Sequence, residues 1–125
     1  MTLARIAGRF AVARLAPDAP VPAWATGALT SITRTADELS IVCDDGVVPV
    51  GVHAVHDFAA LRVVGTIDFA VVGVLASLTR ALAEAAVSVF AVSTFDIDYL
   101  LVRTADVARA ETALSSVAVF VDERQ

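Results

Sequence analysis

The stretch FAALRVVG-TIDFAVVG-VLASLTRALAEAA-VSVFAVS-TFDIDY-LLV, residues Phe58 to Val102, decides the fold. Within it Val71, Leu75, Leu78 and Leu82 recur at spacings of four, three and four, which sets them on one face of a helix and leaves Ser77, Arg80 and Glu84 off it. Leu61 to Val64 and Val87 to Val92 flank this helix as β-branched or apolar runs too short for a standard buried helix. The simplest way to bury all three is a sheet covered by the helix. The polar residues gather at two turns, Gly65 to Gly73 and Ser93 to Asp98.

Outward from this core, Arg9 to Leu15 reads as a first strand. It ends before Pro17, Pro20 and Pro22, which forbid a helix interior there. Pro22 to Ala25 has room for one helical turn, with Trp24 covering apolar surface. Ala28 to Thr33 and Leu39 to Cys43 are two strands around the polar turn 34–38. Asp44 to Asp57, punctuated by Gly46, Pro49 and Gly51, reads as a connection between two halves. In the later half Asp106 caps a short helix whose apolar face is Val107, Ala110 and Leu114, and Val117 to Val121 supplies a last strand. An internal echo supports this division. At an offset of 60, Ser31 falls on Ala91, Ile32 on Val92 and Glu38 on Asp98, and both copies read strand, acidic turn, strand.

The 125 residues are enough for one ordinary domain or two very small ones. At 58% hydrophobic and 18% charged, the composition supplies apolar surface for an interface as well as a core, although much of it is alanine. The net charge is -5, all nine basic residues are arginine, and no basic stripe with interleaved aromatics appears, so nucleic acid is not an expected partner. A single cysteine, Cys43, an N-terminus divided by Arg5, Arg9 and Arg14, and no window long enough to span a bilayer lead to the expectation of a cytoplasmic protein without membrane contact. Catalytic signals are poor: there is no lysine, no glycine-rich nucleotide loop and no G-x-S-x-G elbow, and Cys43 ends an apolar strand. His53 and His56 with Asp57 form only a loose metal-ligand pattern, so no metal or cofactor is expected.

Three segments, SerThrPheAspIleAspTyrLeuLeuVal at 93–102, GlyThrIleAspPheAlaValValGlyValLeuAla at 65–76 and LeuThrSerIleThrArgThrAlaAspGluLeuSerIleVal at 29–42, carry a resemblance to a known family. With the β-α-β-β-α-β order of the second half, the sequence resembles the tandem ACT unit of the CASTOR-type family. That family comprises cytosolic arginine sensors of animals and small bacterial relatives. The resemblance implies an α+β, ferredoxin-like pair of ACT-like domains, antiparallel sheets with helices on one face. Residues 1–57 would form a first, truncated half with its linker, and residues 58–125 a complete second one. It implies a non-catalytic regulatory or sensor protein that binds a small amino acid or related ligand. Asp98 would hold the ammonium, and Thr94 and Phe95 would line the pocket through backbone groups. Val72, Gly73 and Val74 would approach the ligand from the helix start, with Ser31 and Ile32 facing it from the other half. The animal sensors carry about four ACT units and this chain two, which implies a homodimer.

From the residues alone the same positions stay open. Two carboxylates near a strand end suit an ammonium group, but they equally suit a solvated hairpin turn. Gly73 suits close ligand approach as well as helix packing. The alternative function is a structural or protein-interaction module whose pocket is vestigial.

Overall fold

The computed structural model describes residues 1–64 and 73–122. Its first strands are β1 (Thr2–Arg5), β2 (Phe10–Leu15), β3 (Ser31–Arg34), β4 (Leu39–Asp44) and β5 (Ala54–Val63). Helix α1 (Val74–Glu84), β6 (Phe90–Ser93), β7 (Asp98–Arg103), helix α2 (Val107–Leu114) and β8 (Val119–Asp122) follow. A single 3-10 turn follows each of β4 and β7, at Asp45–Val47 and Thr104–Asp106. The chain forms two compact units. One is residues 8–58; the other joins residues 1–7 to the chain from Ala59 onward.

In the unit of residues 8–58 the strand order is β3-β4-β2-β5, every pair antiparallel. Leu39, Ile41 and Cys43 alternate along β4 and share one face with Ala13, where they are almost fully buried. Among the described residues no α-helix covers that face. The three prolines forbid one, and the connection between β2 and β3 crosses instead, turning at Pro22–Ala25 and laying Trp24 and Ala25 on the apolar cluster. The guanidinium of Arg34 pins this crossing by donating to the carbonyl oxygens of Pro17 and of Ala19, the latter at 2.7 Å. Gly27 passes so close to β4 that a Cβ there would lie 2.7 Å from the Asp44 nitrogen, at φ 150°.

In the other unit the order is β8-β1-β5-β7-β6. Leu61 and Val63 of β5 and Leu100 and Val102 of β7 project into one cluster with Leu78, Ala81 and Leu82 of α1 and Ala110 and Leu114 of α2, so both helices cover the same sheet face. All five of these leucines, Leu61, Leu78, Leu82, Leu100 and Leu114, are wholly buried, each contributing about 1.5–3 kcal/mol. Ala86 ends α1 in the left-handed region at φ 57°. There the Ala86 N–H bonds the Ala83 carbonyl at 3.0 Å and the Val87 N–H reaches back to Leu82 at 2.9 Å. This is a Schellman closure with Val87 as its buried apolar contact.

The α+β, ferredoxin-like class is as expected, with three differences in detail. The sheet is mixed rather than wholly antiparallel, because β1 pairs antiparallel with β5 but parallel with β8. Strand β5 already begins at Ala54, inside the segment read as a connection, because its first residues pair with β2. Strand β6 begins at Phe90 rather than Val87, whose backbone is used in closing α1.

Candidate functional site

The hairpins β3-β4 and β6-β7 are built alike. In one, the Thr35 N–H donates to the Glu38 carbonyl at 2.9 Å and the Thr35 hydroxyl oxygen accepts from the Glu38 N–H at 3.2 Å. In the other, the Thr94 N–H donates to Ile97 at 2.9 Å and the Thr94 hydroxyl oxygen accepts from the Ile97 N–H at 3.2 Å. The threonines stand 59 residues apart, as do β4 and β7 and the 3-10 turns that follow them. The offset of 60 is therefore one residue too long. Asp96 falls on Asp37, while Glu38 corresponds to Ile97 rather than to Asp98. Asp98 instead faces Ser93 across the hairpin, where its Oδ1 accepts from the Ser93 hydroxyl at 2.5 Å.

Thr94, Phe95 and Asp98 thus share one hairpin tip, with the Phe95 ring 79% exposed. Gly73 and Val74 lie at the start of α1. Gly73 is the residue preceding its first turn, at φ 88°, and the space where a Cβ would stand is open. A left-handed residue at this entry favours glycine. Val74 is half-buried against the core. Val72 and the expected cap Asp68 lie outside the described residues. Ser31 and Ile32 belong to the other unit, on β3, where they pair with Val42 and Ile41. Ser31 is half-buried and Ile32 exposed.

The strongest polar network, missed in the sequence, is in the unit of residues 8–58. Asp45 Oδ1 is 2.9 Å from His56 Nδ1, and Asp45 Oδ2 accepts from the Asp57 N–H at 2.6 Å. Asp57 in turn meets the Arg9 guanidinium at 3.2 Å. Between Phe10 and Val12 of β2, strand β5 carries one extra residue, a β-bulge, and Asp57 adopts a left-handed φ of 64° there. Burial alone would raise the Asp45 carboxyl, but the Asp57 N–H, the His56 ring and the Arg9 charge together hold it below its ordinary value. The signal was the pair Asp45-Gly46 and His56-Asp57, polar residues in a stretch whose strand pairing is not visible locally. Burial, then Asp44 and Asp45, raise the Cys43 thiol, which is fully enclosed and so a poor nucleophile. Among the described residues no group of His, Cys, Asp and Glu could hold a metal ion. No helix among them is long and apolar enough to cross a membrane.

A sheet backed by two helices on one face in one unit, with paired hairpins of one design in both, defines an α+β protein of ferredoxin-like type. The ACT domain family profile matches residues 53–116, and a second profile, for the N-terminal domain of another family, matches residues 8–50. A crystal structure of a protein from Agrobacterium tumefaciens is 34% identical, with a TM-score of 0.92, 99% of this chain and 94% of that one being covered. The chain belongs to the ACT domain family. A Vibrio cholerae protein of unknown function, described as a possible transport protein, shares 17% identity at a TM-score of 0.75 over 92% of this chain and 88% of that one. The ligand-free regulatory subunit of aspartate kinase from Thermus thermophilus shares 12% identity at a TM-score of 0.65, over 91% and 95%. No curated protein sequence matches the chain.

Proposed function

We propose that the protein is a regulatory or sensor module that binds a small amino acid or a related ligand and performs no chemistry on it. The observation that carries this is the β6-β7 tip. There Asp98, aligned by Ser93, presents a carboxylate beside Thr94 and Phe95. A carboxylate held in this way suits an α-ammonium group through charge-assisted hydrogen bonds. The start of α1 at Gly73 and Val74, together with Val72, would receive the ligand carboxylate, and the family resemblance adds Ser31 and Ile32 as ligand-binding residues. The fold shared with an aspartate kinase regulatory subunit supports a regulatory role.

In this reading the chain is a CASTOR-type tandem whose ACT-like halves are residues 1–57 and 58–125, acting as a homodimer in the cytoplasm. Strand β1 would be lent by the first half to the sheet of the second. Ligand binding would shift the population of conformations that a protein partner recognises. A second reading, an interaction module with a vestigial pocket, is favoured by the exposure of Phe95, Phe90 and Ile32.

The test is a thermal-shift screen against the twenty amino acids, with calorimetric titration of each hit, since a ligand of the native state raises apparent stability once its concentration exceeds Kd. A saturable hit that weakens at least about tenfold in Asp98→Ala is expected. Unchanged affinity in that variant refutes the role of Asp98, and silence across the panel refutes amino acid binding in favour of the interaction module.

A further inference from the structure

A cleft of about 400 Å³ opens within the unit of residues 8–58, lined by Arg14, Leu15, Ala16, Pro17, Asp37 and His53. Its volume is in the range of small-molecule sites. Strand pairing explains its construction. The Arg14 N–H donates to the His53 carbonyl at 2.9 Å, and Ala13 faces Ala54, so Arg14 and His53 stand side by side where β2 leaves the sheet and β5 enters. Asp37 is held at the β3-β4 tip, its N–H bonded to the Thr35 hydroxyl at 3.1 Å. Pro17, which also lines the cleft, is held by Arg34 through the Pro17 and Ala19 carbonyls.

The arrangement of charge is what calls for a ligand. Among the described residues the Arg14 guanidinium, the Asp37 carboxylate and the His53 ring have no ion-pair or side-chain hydrogen-bond partner, although they line one cleft. Three other charged groups of this unit are engaged, Arg9 with Asp57, Asp45 with His56 and Arg34 with two carbonyls, whereas Asp18, Glu38 and Asp44 also lack a side-chain partner among the described residues but do not line the cleft. An unspent cation and an unspent anion lining the same space as Leu15 and Pro17 complement a molecule with the opposite pair of charges and a short apolar body.

We propose that this cleft is a second small-molecule site, distinct from the β6-β7 tip, and that it takes a zwitterion of amino acid size with an apolar side chain. Arg14, assisted by His53, receives the carboxylate, Asp37 receives the ammonium, and Leu15 and Pro17 contact the side chain. Nothing in this assignment uses Asp98, so the two sites stand or fall separately.

The chain has two histidines, so the ring C–H signals of His53 and His56 can be followed by NMR, with His56, bonded to Asp45, as the internal reference. The full chain is titrated with L-valine, with isovalerate, which lacks the amine, and with isobutylamine, which lacks the carboxylate. The expected result is a saturable shift of His53 with L-valine, weaker by about tenfold or more with either half-molecule. The shift should be lost in Arg14→Gln and Asp37→Asn but retained in Asp98→Ala; all three positions are solvent-accessible, and the variants should fold. Isovalerate binding as tightly as L-valine would overturn the role of Asp37. So would parallel shifts of both histidines, or no shift of His53 by about 20 mM L-valine, overturn the site itself.

Discussion

Replacing Asp45 by alanine removes the centre of the network that holds the β5 bulge. The carboxylate is mostly buried, its side chain 22% exposed, and it accepts two hydrogen bonds, from the Asp57 N–H at 2.6 Å and from His56 at 2.9 Å. A hydrogen bond to a charged group contributes about 1.5–3 kcal/mol net, but His56 is partly in water and its pair sits at the low end. The bond to Asp57 has the further task of holding a non-glycine residue in the left-handed region, which costs about 1–2 kcal/mol in itself. The loss expected in Asp45→Ala is about 2–3 kcal/mol. Urea unfolding read by Trp24 fluorescence is the suitable assay, because Trp24 is the sole tryptophan and packs on the core of the same unit. The midpoint should fall with the slope unchanged.

The pH dependence supplies the sign. The folded Asp45 carboxyl is held below its ordinary value, so its contribution is complete above the unfolded pKa, about 4, and is lost as pH falls through the lower folded value. Parent and variant should therefore differ most near neutrality and converge in acid. A variant within about 0.5 kcal/mol of the parent at neutral pH, or a difference that grows as the pH falls, refutes the reasoning.

Two further substitutions test the backbone. Gly27→Ala should destabilise by about 1–3 kcal/mol, since the added Cβ meets the Asp44 nitrogen at 2.7 Å in a conformation alanine rarely adopts; an unchanged midpoint in the Trp24 assay would disprove the close approach. Ala86→Gly should act in the opposite direction, raising stability by about 1 kcal/mol through relief of the left-handed alanine that closes α1; thermal melts followed by circular dichroism decide it, and a lower Tm would refute the Schellman geometry.

What could be read from the sequence was what depends on neighbours. The apolar stripe of Leu75, Leu78 and Leu82 and the face of Val107, Ala110 and Leu114 each reflect one element burying one side, the apolar runs of β4 and β7 mark strands by their composition, and each is present in the structure. What escaped depends on partners far along the chain. Strand β1 is four residues ending in Arg5, and pairing with β5 and β8 makes it a strand. The first part of β5 alternates between half-buried and exposed residues after Pro49 and Gly51, so it looked like a connection. The offset of 60 failed by one residue because hydrophobic periodicity tolerates such a slip, whereas the turn bonds at Thr35 and Thr94 do not. At the site, the acidic hairpin tip was legible. The adjacency of Arg14 and His53 was not, since it exists only once β2 has met β5.

The place of β1 sets an order of events during synthesis. Residues 8–58 hold all four strands of their own sheet and can close while the rest of the chain is still being made. Residues 2–5 cannot do the same: β1 needs β5 on one side and, at the far end of the sequence, β8 on the other, with Thr2 beside Val119 and Leu3 beside Phe120. Of the described strands, the first to leave the ribosome is therefore among the last to be enclosed. Until Val119 arrives it presents an open edge that a neighbouring nascent chain could cover instead.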